Sequence, residues 1–263
     1  MLSYLYFHAS PWALPLVMFV VLALAIELPY RFLQGALLRA DKQVDAFTAV
    51  QAGLLTLASF VLGLSFAQAS ARYDGRRALV IKEANAIGTT WLRADQLSSV
   101  QSLRFRRTLT AYLSARLTAY QTPNDPQLYD RTLHEGDDEQ RDMWRIASTA
   151  LRARPSNLGL SLLMQTLNDT IDVSAEQLQA LTTHVPTSVV TLTLVLVILG
   201  AMSLGLRYAL DKSRPPVLSA VYIVAAVVVI TMMIDYDRPQ SGFVTVNLNP
   251  LKVQLASMQS AGK

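Results

Sequence analysis

The sequence predicts an all-α integral membrane protein, with four transmembrane helices and a long helical extension between the second and the third. Three observations carry this. Of 263 residues, 52% are hydrophobic and 16% are charged, whereas charge makes up roughly a quarter of an ordinary globular chain. The apolar residues are gathered into blocks long enough to cross a bilayer, which a soluble core does not require. Between the second and third blocks, apolar residues recur at steps of three and four, the period of an amphipathic helix.

The first span runs from Trp12 to Leu28, about seventeen residues and near the lower limit for crossing about 30 Å of hydrocarbon. Met1 to Pro11 carries no Lys or Arg, so the run lacks the basic start of a cleavable signal peptide and reads as a retained span. Tyr4, Tyr6, Phe7 and Trp12 before it, and Tyr30 and Phe32 after it, suit an interfacial aromatic belt. Glu27 is the only acid inside a span; next to Pro29 and close to the end, it is either functional or reaches the interface. A polar bend, Arg39 to Asp45, leads into the second span, Phe47 to Phe66, which contains Gln51, Thr56, Ser59 and Ser65. Gln51 and Gln68 suit hydrogen bonds between helices, and Gly53, Ala58 and Gly63 suit close approach of another helix. The third span, Val189 to Leu206, is free of charge, and Pro186 sits at its start, where a missing N–H does no harm. Asp211 to Pro216 is a short polar turn before the fourth span, Val217 to Ile234, so the last two spans form a tight hairpin.

The extension covers residues from about 68 to 185. Its basic residues are nearly matched by acids, so it is solvated without being polyionic. Arg72 to Asp95 reads as a helix leaving the membrane: it holds no proline, and Val80, Ala84, Ile87 and Trp91 share one face. Asn85, Gly88 and Leu92 lie on a neighbouring small, polar face. Leu109, Leu113, Leu117 and Tyr120 form a second stripe, broken by the run Pro123 to Pro126. The acidic patch His134 to Glu139 reads as a solvated loop before a short helix from Met143 to Leu151, which Arg154 to Ser156 ends. A third stripe, Leu160, Leu163, Leu167, Ile171, Leu178, Leu181 and Val185, leads almost directly into the third span. After the fourth span, Phe243 to Leu248 has extended propensity. No repeat or flexible linker divides the chain, so residues 1–263 read as a single membrane domain.

Net charge is +4, but basic residues are interleaved with acids, which argues against a nucleic-acid partner. Lys and Arg flanking the spans are equal in number on the two sides, so the positive-inside rule does not orient the chain. The absence of cysteine removes disulfides, thiolate metal sites and cysteine nucleophiles. No phosphate-binding loop, nucleophile elbow or zinc-protease motif is present. The sequence therefore points to no enzyme, no catalytic residue, no cofactor and no metal. His8, His134 and His184 have no partner motif, although His134 lies among acids that could attract a divalent ion.

The candidate site residues are Arg77, Glu83, Asn85, Gly88, Arg93, Asp235, Asp237 and Arg238. Those in the Arg72 to Asp95 helix either line an ion pathway, where fixed charge selects ions of opposite sign, or pair to fix helix packing. Asp235, Asp237 and Arg238 lie at a span end beside Pro239 and Gly242, which imply a fixed turn. They form a structural clamp or contribute to a pathway, with Arg77 and Asp237 as one possible pair.

Three segments carry a family resemblance. Ser70 to Asp95 holds an Arg76-Arg77 pair and Glu83-Ala-Asn-Ala-Ile-Gly-Thr89. Asn168-Asp-Thr-Ile-Asp172 leads through His184-Val-Pro186 into the third span. Asp235-Tyr-Asp-Arg-Pro-Gln-Ser-Gly242 follows the last span. In this order, over roughly residues 45–255, they resemble the bacterial bestrophin-like domain family. The resemblance implies a four-span helical protein of the bacterial inner membrane, distantly similar to the bestrophins, which are homopentameric anion channels. The expectation is an oligomeric ion channel or transport protein, with the lipid bilayer, further copies of itself and small ions as partners. The alternative is a non-conducting scaffold or sensor that binds a partner through its extension.

Overall fold

The computed structural model describes residues 12–37, 44–122, 125–238 and 242–261. The expectations placed on Tyr4, Tyr6, Phe7, His8, Arg39 to Gln43, Pro123, Asn124 and Pro239 lie outside them. The helices are α1 (Ala13–Leu37), α2 (Val44–Arg93), α3 (Ser99–Gln121), α4 (Pro126–Ala153), α5 (Leu158–Thr182), α6 (Thr187–Asp211), α7 (Pro216–Asp237) and α8 (Asn249–Ala261), with a 3-10 turn at Ala94–Gln96. Among the described residues there is no strand. Among the described residues, four helical stretches are long and apolar enough to cross a membrane, and each overlaps one of the expected spans.

The chain groups into two compact units, Met1–Tyr73 with His184–Val244, and Asp74–Thr183 with Thr245–Lys263. In the first, α1 packs on α6 and α7. Its core holds Leu22, Ala69, Ala201 and Ile230, all essentially inaccessible. The closest approach is at Gly205, where an added Cβ would run into the backbone carbonyl of Ile26. Some polar groups inside the spans pair with one another: Ser65 and Thr193 share a buried hydrogen bond of 2.8 Å, and the Tyr222 hydroxyl donates to the Val197 carbonyl at 3.0 Å. Glu27 accepts from Arg31 and from Arg214, each at 2.6 Å. Phe19, Leu24, Leu192, Val195, Val221 and Val224 stay exposed, as suits helices whose solvent is lipid.

In the second unit the three expected stripes converge. Val80, Ala84, Ile87 and Trp91 meet Leu109, Leu113, Leu117 and Tyr120, together with Leu160, Leu163 and Leu167. Met143 of α4 and Leu251 and Met258 of α8 complete this core. One reading of the sequence is corrected here. The acidic patch His134 to Glu139 is helical, because α4 is continuous from Pro126. Asp125 caps it by accepting from the Leu128 N–H at 3.0 Å, Pro126 occupies its first turn, and the acids pair along it, Asp138 with Arg141 and Asp142 with Arg145. Phe243 to Leu248, with its extended propensity, lies outside the helices, and the chain enters α8 directly afterwards.

Candidate functional site

The most concentrated polar chemistry lies in the core of the second unit. Position 83 of α2 falls on the inward face, three residues after Val80 and four before Ile87, so a carboxylate is carried into the apolar core. Glu83 is fully buried and accepts from Arg116 Nε at 3.1 Å, with both side chains inaccessible. The hydroxyls of Tyr120 and Tyr112 also face it, at 3.3 and 3.5 Å. Arg116 donates further to the Tyr120 hydroxyl and lies 4.9 Å from that ring centre. The same amino group also reaches the Ser174 carbonyl of α5 at 3.5 Å, and Gln140 of α4 donates to the Ser174 hydroxyl at 3.3 Å. One cluster thus ties α2, α3, α4 and α5 together.

Burial and the Glu83 charge push the Tyr112 hydroxyl up to about 12, and the same two causes hold Tyr120 well above its ordinary value. Burial works against the charge on Arg116, but Glu83 outweighs it, so the guanidinium is held above its usual value. Both tyrosines therefore stay neutral donors and Arg116 stays charged at physiological pH. With every partner supplied from packed helices, the cluster sets the geometry of the core.

A second set of contacts fixes α5 against α2. Arg76, buried, donates to the carbonyls of Ala180 and Thr183 at 3.0 and 2.8 Å, satisfying the free end of α5 where positive charge is favoured. Thr90 and Thr170 share a buried hydrogen bond of 3.0 Å, and Arg93 donates to the Leu162 carbonyl at 2.8 Å.

In the first unit, the end of α7 is closed by its own acids. Asp235 accepts from the amides of Phe243 and Val244 at 2.8 and 2.7 Å. Gly242 has φ +150, and an added Cβ would strike the Asp235 carboxylate, so only glycine fits. Asp237, fully buried, accepts from the Val185 N–H at 2.9 Å, with His184 beside it at 3.5 Å. Arg238 is buried as well.

The remaining feature is the outward face of α2. From Ala52 through Thr56, Ser59, Gly63, Ala67 and Ser70 to Asp74, Ala78 and Asn85, small and polar residues recur at steps of three and four, with Ile81 the one large member. All are exposed except the half-exposed Ser70. Nothing lies within 4 Å of where a Cβ would stand at Gly53, Gly63 or Gly75. Val50, Leu57, Phe60 and Leu64 flank the stripe and are also exposed.

Residues 17–251 match the Bestrophin-like domain. The chain belongs to the bestrophin-like family. Among solved structures, this bestrophin-like chain is similar to bacterial bestrophin homologues from Klebsiella pneumoniae. A single-residue variant has TM-score 0.72 at 15% identity, covering 93% of this chain and 98% of that one. A second variant has TM-score 0.69 at 14% identity, covering 97% of each, and a further structure has TM-score 0.65 at 15%, covering 94% of this chain and 95% of that one. At such identities the likeness is one of fold. No curated protein matches.

The eight candidate residues of this bestrophin-like protein separate into distinct settings. Glu83 is inside the core cluster, whereas Arg77 and Asn85 are exposed. Gly88 lies against the Gln254 side chain of α8, 3.0 Å from where a Cβ would be, and Arg93 holds α5. Asp235, Asp237 and Arg238 gather at the end of α7 with His184 and Gly242. Among the described residues, His134 and its acids form no group of three or more that could hold a metal. Sequence reasoning singled out Arg77 and passed over Arg76, although steps of four, three and four place Arg76 on the Val80, Glu83 and Ile87 face. It also passed over Arg116. The signal was present: Tyr112, Arg116 and Tyr120 stand at steps of four along an apolar helix, which places one cation between two phenols.

Proposed function

We propose that this protein is an oligomeric ion channel of the bacterial inner membrane, in which the outward faces of α2 from several copies line the conducting pathway. The observation that carries this is the exposed stripe from Ala52 to Asn85. A helix face turned to lipid is ordinarily large and apolar, as Leu57, Phe60 and Leu64 are on the flank. A face of Thr, Ser, Gly and Ala is suited to water and ions, or to another helix at close range. Family membership supports the same reading, and Asn85 and Arg77 become the pathway candidates on it. Glu83, Asp235 and Asp237 act as clamps that hold the helices bearing the pathway. The apolar stripe that favoured a partner-binding extension is used internally: Leu160, Leu163 and Leu167 are buried in the core of the second unit, with Ile171 and Leu181 packed against it.

Reconstituted in liposomes, the purified protein is expected to dissipate gradients of small ions. Thr56→Phe and Gly63→Phe abolish that flux, while Leu57→Phe on the flank retains it, all three with unchanged melting temperature. Vesicles that remain tight under Na⁺, K⁺ and Cl⁻ gradients overturn the proposal.

A further inference from the structure

The second unit carries an open cleft of about 1230 Å³ that the channel reading does not use. One wall is a single face of α3, on which Ser99, Ser102, Leu103, Arg106 and Arg107 follow at helical spacing; Leu97 and Met258 add apolar surface. Arg106 is already committed. Its guanidinium lies 5.0 Å from the Trp91 ring centre and donates to Asp95 at 2.9 Å, which cancels the one acid in the lining. The charge left over is that of Arg107, exposed and without an ion pair among the described residues.

Two kinds of donor face the cleft with nothing to donate to. Ser102 is only 8% exposed and lines the cleft. A helical serine usually bonds back to the carbonyl four residues earlier, as Ser161 does to Asn157; the Ser102 hydroxyl has no partner among the described residues. The first turn of α3 also lacks a side-chain cap, because the Ser98 hydroxyl donates to the Gln101 side chain at 2.9 Å and accepts no amide. An uncapped first turn, the hydroxyl of a buried serine and one free guanidinium, all on cleft-lining residues of one helix, are donors of the kind that the oxygens of a tetrahedral anion take.

We propose that this cleft binds a soluble phosphate monoester, its oxygens on Ser102, Arg107 and the first turn of α3, and its apolar body over Leu97, Leu103 and Met258.

The test is calorimetric titration of the full-length protein, in nanodiscs of phosphatidylcholine, with phenyl phosphate as the probe. Saturable binding at one site per chain is expected, with phenol giving none. Arg107→Gln and Ser102→Ala are each expected to weaken it by about tenfold without moving the melting temperature. Absence of saturable heat, unchanged affinity in either variant, or phenol binding as well as phenyl phosphate overturns the proposal. Ion flux is not part of this readout, so the outcome is independent of the channel reading.

Discussion

Glu83 and Arg116 form an ion pair from which water is excluded on every side. Such a pair contributes little net stability compared with apolar residues of the same volume, but losing one member leaves a bare buried charge, at a cost of about 3–5 kcal/mol. Glu83→Gln and Arg116→Met are therefore each expected to destabilise strongly, while the double variant loses less than the sum. A double-mutant cycle read by thermal unfolding should show coupling of about 1–3 kcal/mol, and strictly additive losses would rule out direct pairing. Tyr112 gives the cluster a signature in alkali. Its hydroxyl is pushed from the ordinary 10.0 to about 12 in the folded chain, so the unfolded chain loses this proton first. Stability is then unaffected below about pH 10 and declines as pH rises from there toward 12. Melting temperature followed across this window should fall less steeply in Tyr112→Phe; an identical slope would remove Tyr112 as the cause. The buried cluster was half legible in sequence. Glu83 was singled out by its charge in a helical stripe, but its partner is 33 residues away on another helix, and helical periodicity says which face a residue occupies without saying which helix meets it.

At the level of elements, the four spans and the stripes of the extension were readable because length and period are local properties. The one misread element depended on something that is not local. The run His134 to Glu139 reads as a loop because its charge masks an inward face; Gly136 in its midst lies against Tyr112 and Arg116, at 3.9 and 4.0 Å from where a Cβ would stand. Glycine usage was similarly open to misreading. Gly53 and Gly63 suggested close helix approach, but inside the chain the contact is made by Gly205. Gly205→Ala is expected to cost about 1–3 kcal/mol by forcing α6 away from the Ile26 backbone, whereas Gly63→Ala should be neutral or slightly stabilising. Paired melting curves of the two variants would check this, and a neutral Gly205→Ala would contradict the close α1–α6 packing.

For the molecule as a whole, family and membrane character were legible from three short segments in a fixed order, and the Bestrophin-like match over residues 17–251 agrees with them. The proposed pathway was less legible, because a small, polar helix face has the same sequence whether it meets water, a neighbouring helix or another copy. The flux experiment with Thr56→Phe and Gly63→Phe addresses that ambiguity directly, since a merely structural stripe would lose stability before it lost flux. The α6–α7 pair is joined at one end by the turn from Lys212 to Pro215 and tied at the other by the Asp237 carboxylate to the Val185 N–H. Asp235 then gathers the amides of Phe243 and Val244, eight and nine residues downstream. The Asp235 contacts, so close in sequence, need little chain closure and form early, whereas the Asp237 contact to Val185 spans 52 residues and waits for the hairpin itself to pair. The turn after α7 therefore sets on its own carboxylate as a local unit, while the closing of the α6–α7 hairpin at its Val185 end is a longer-range and slower step.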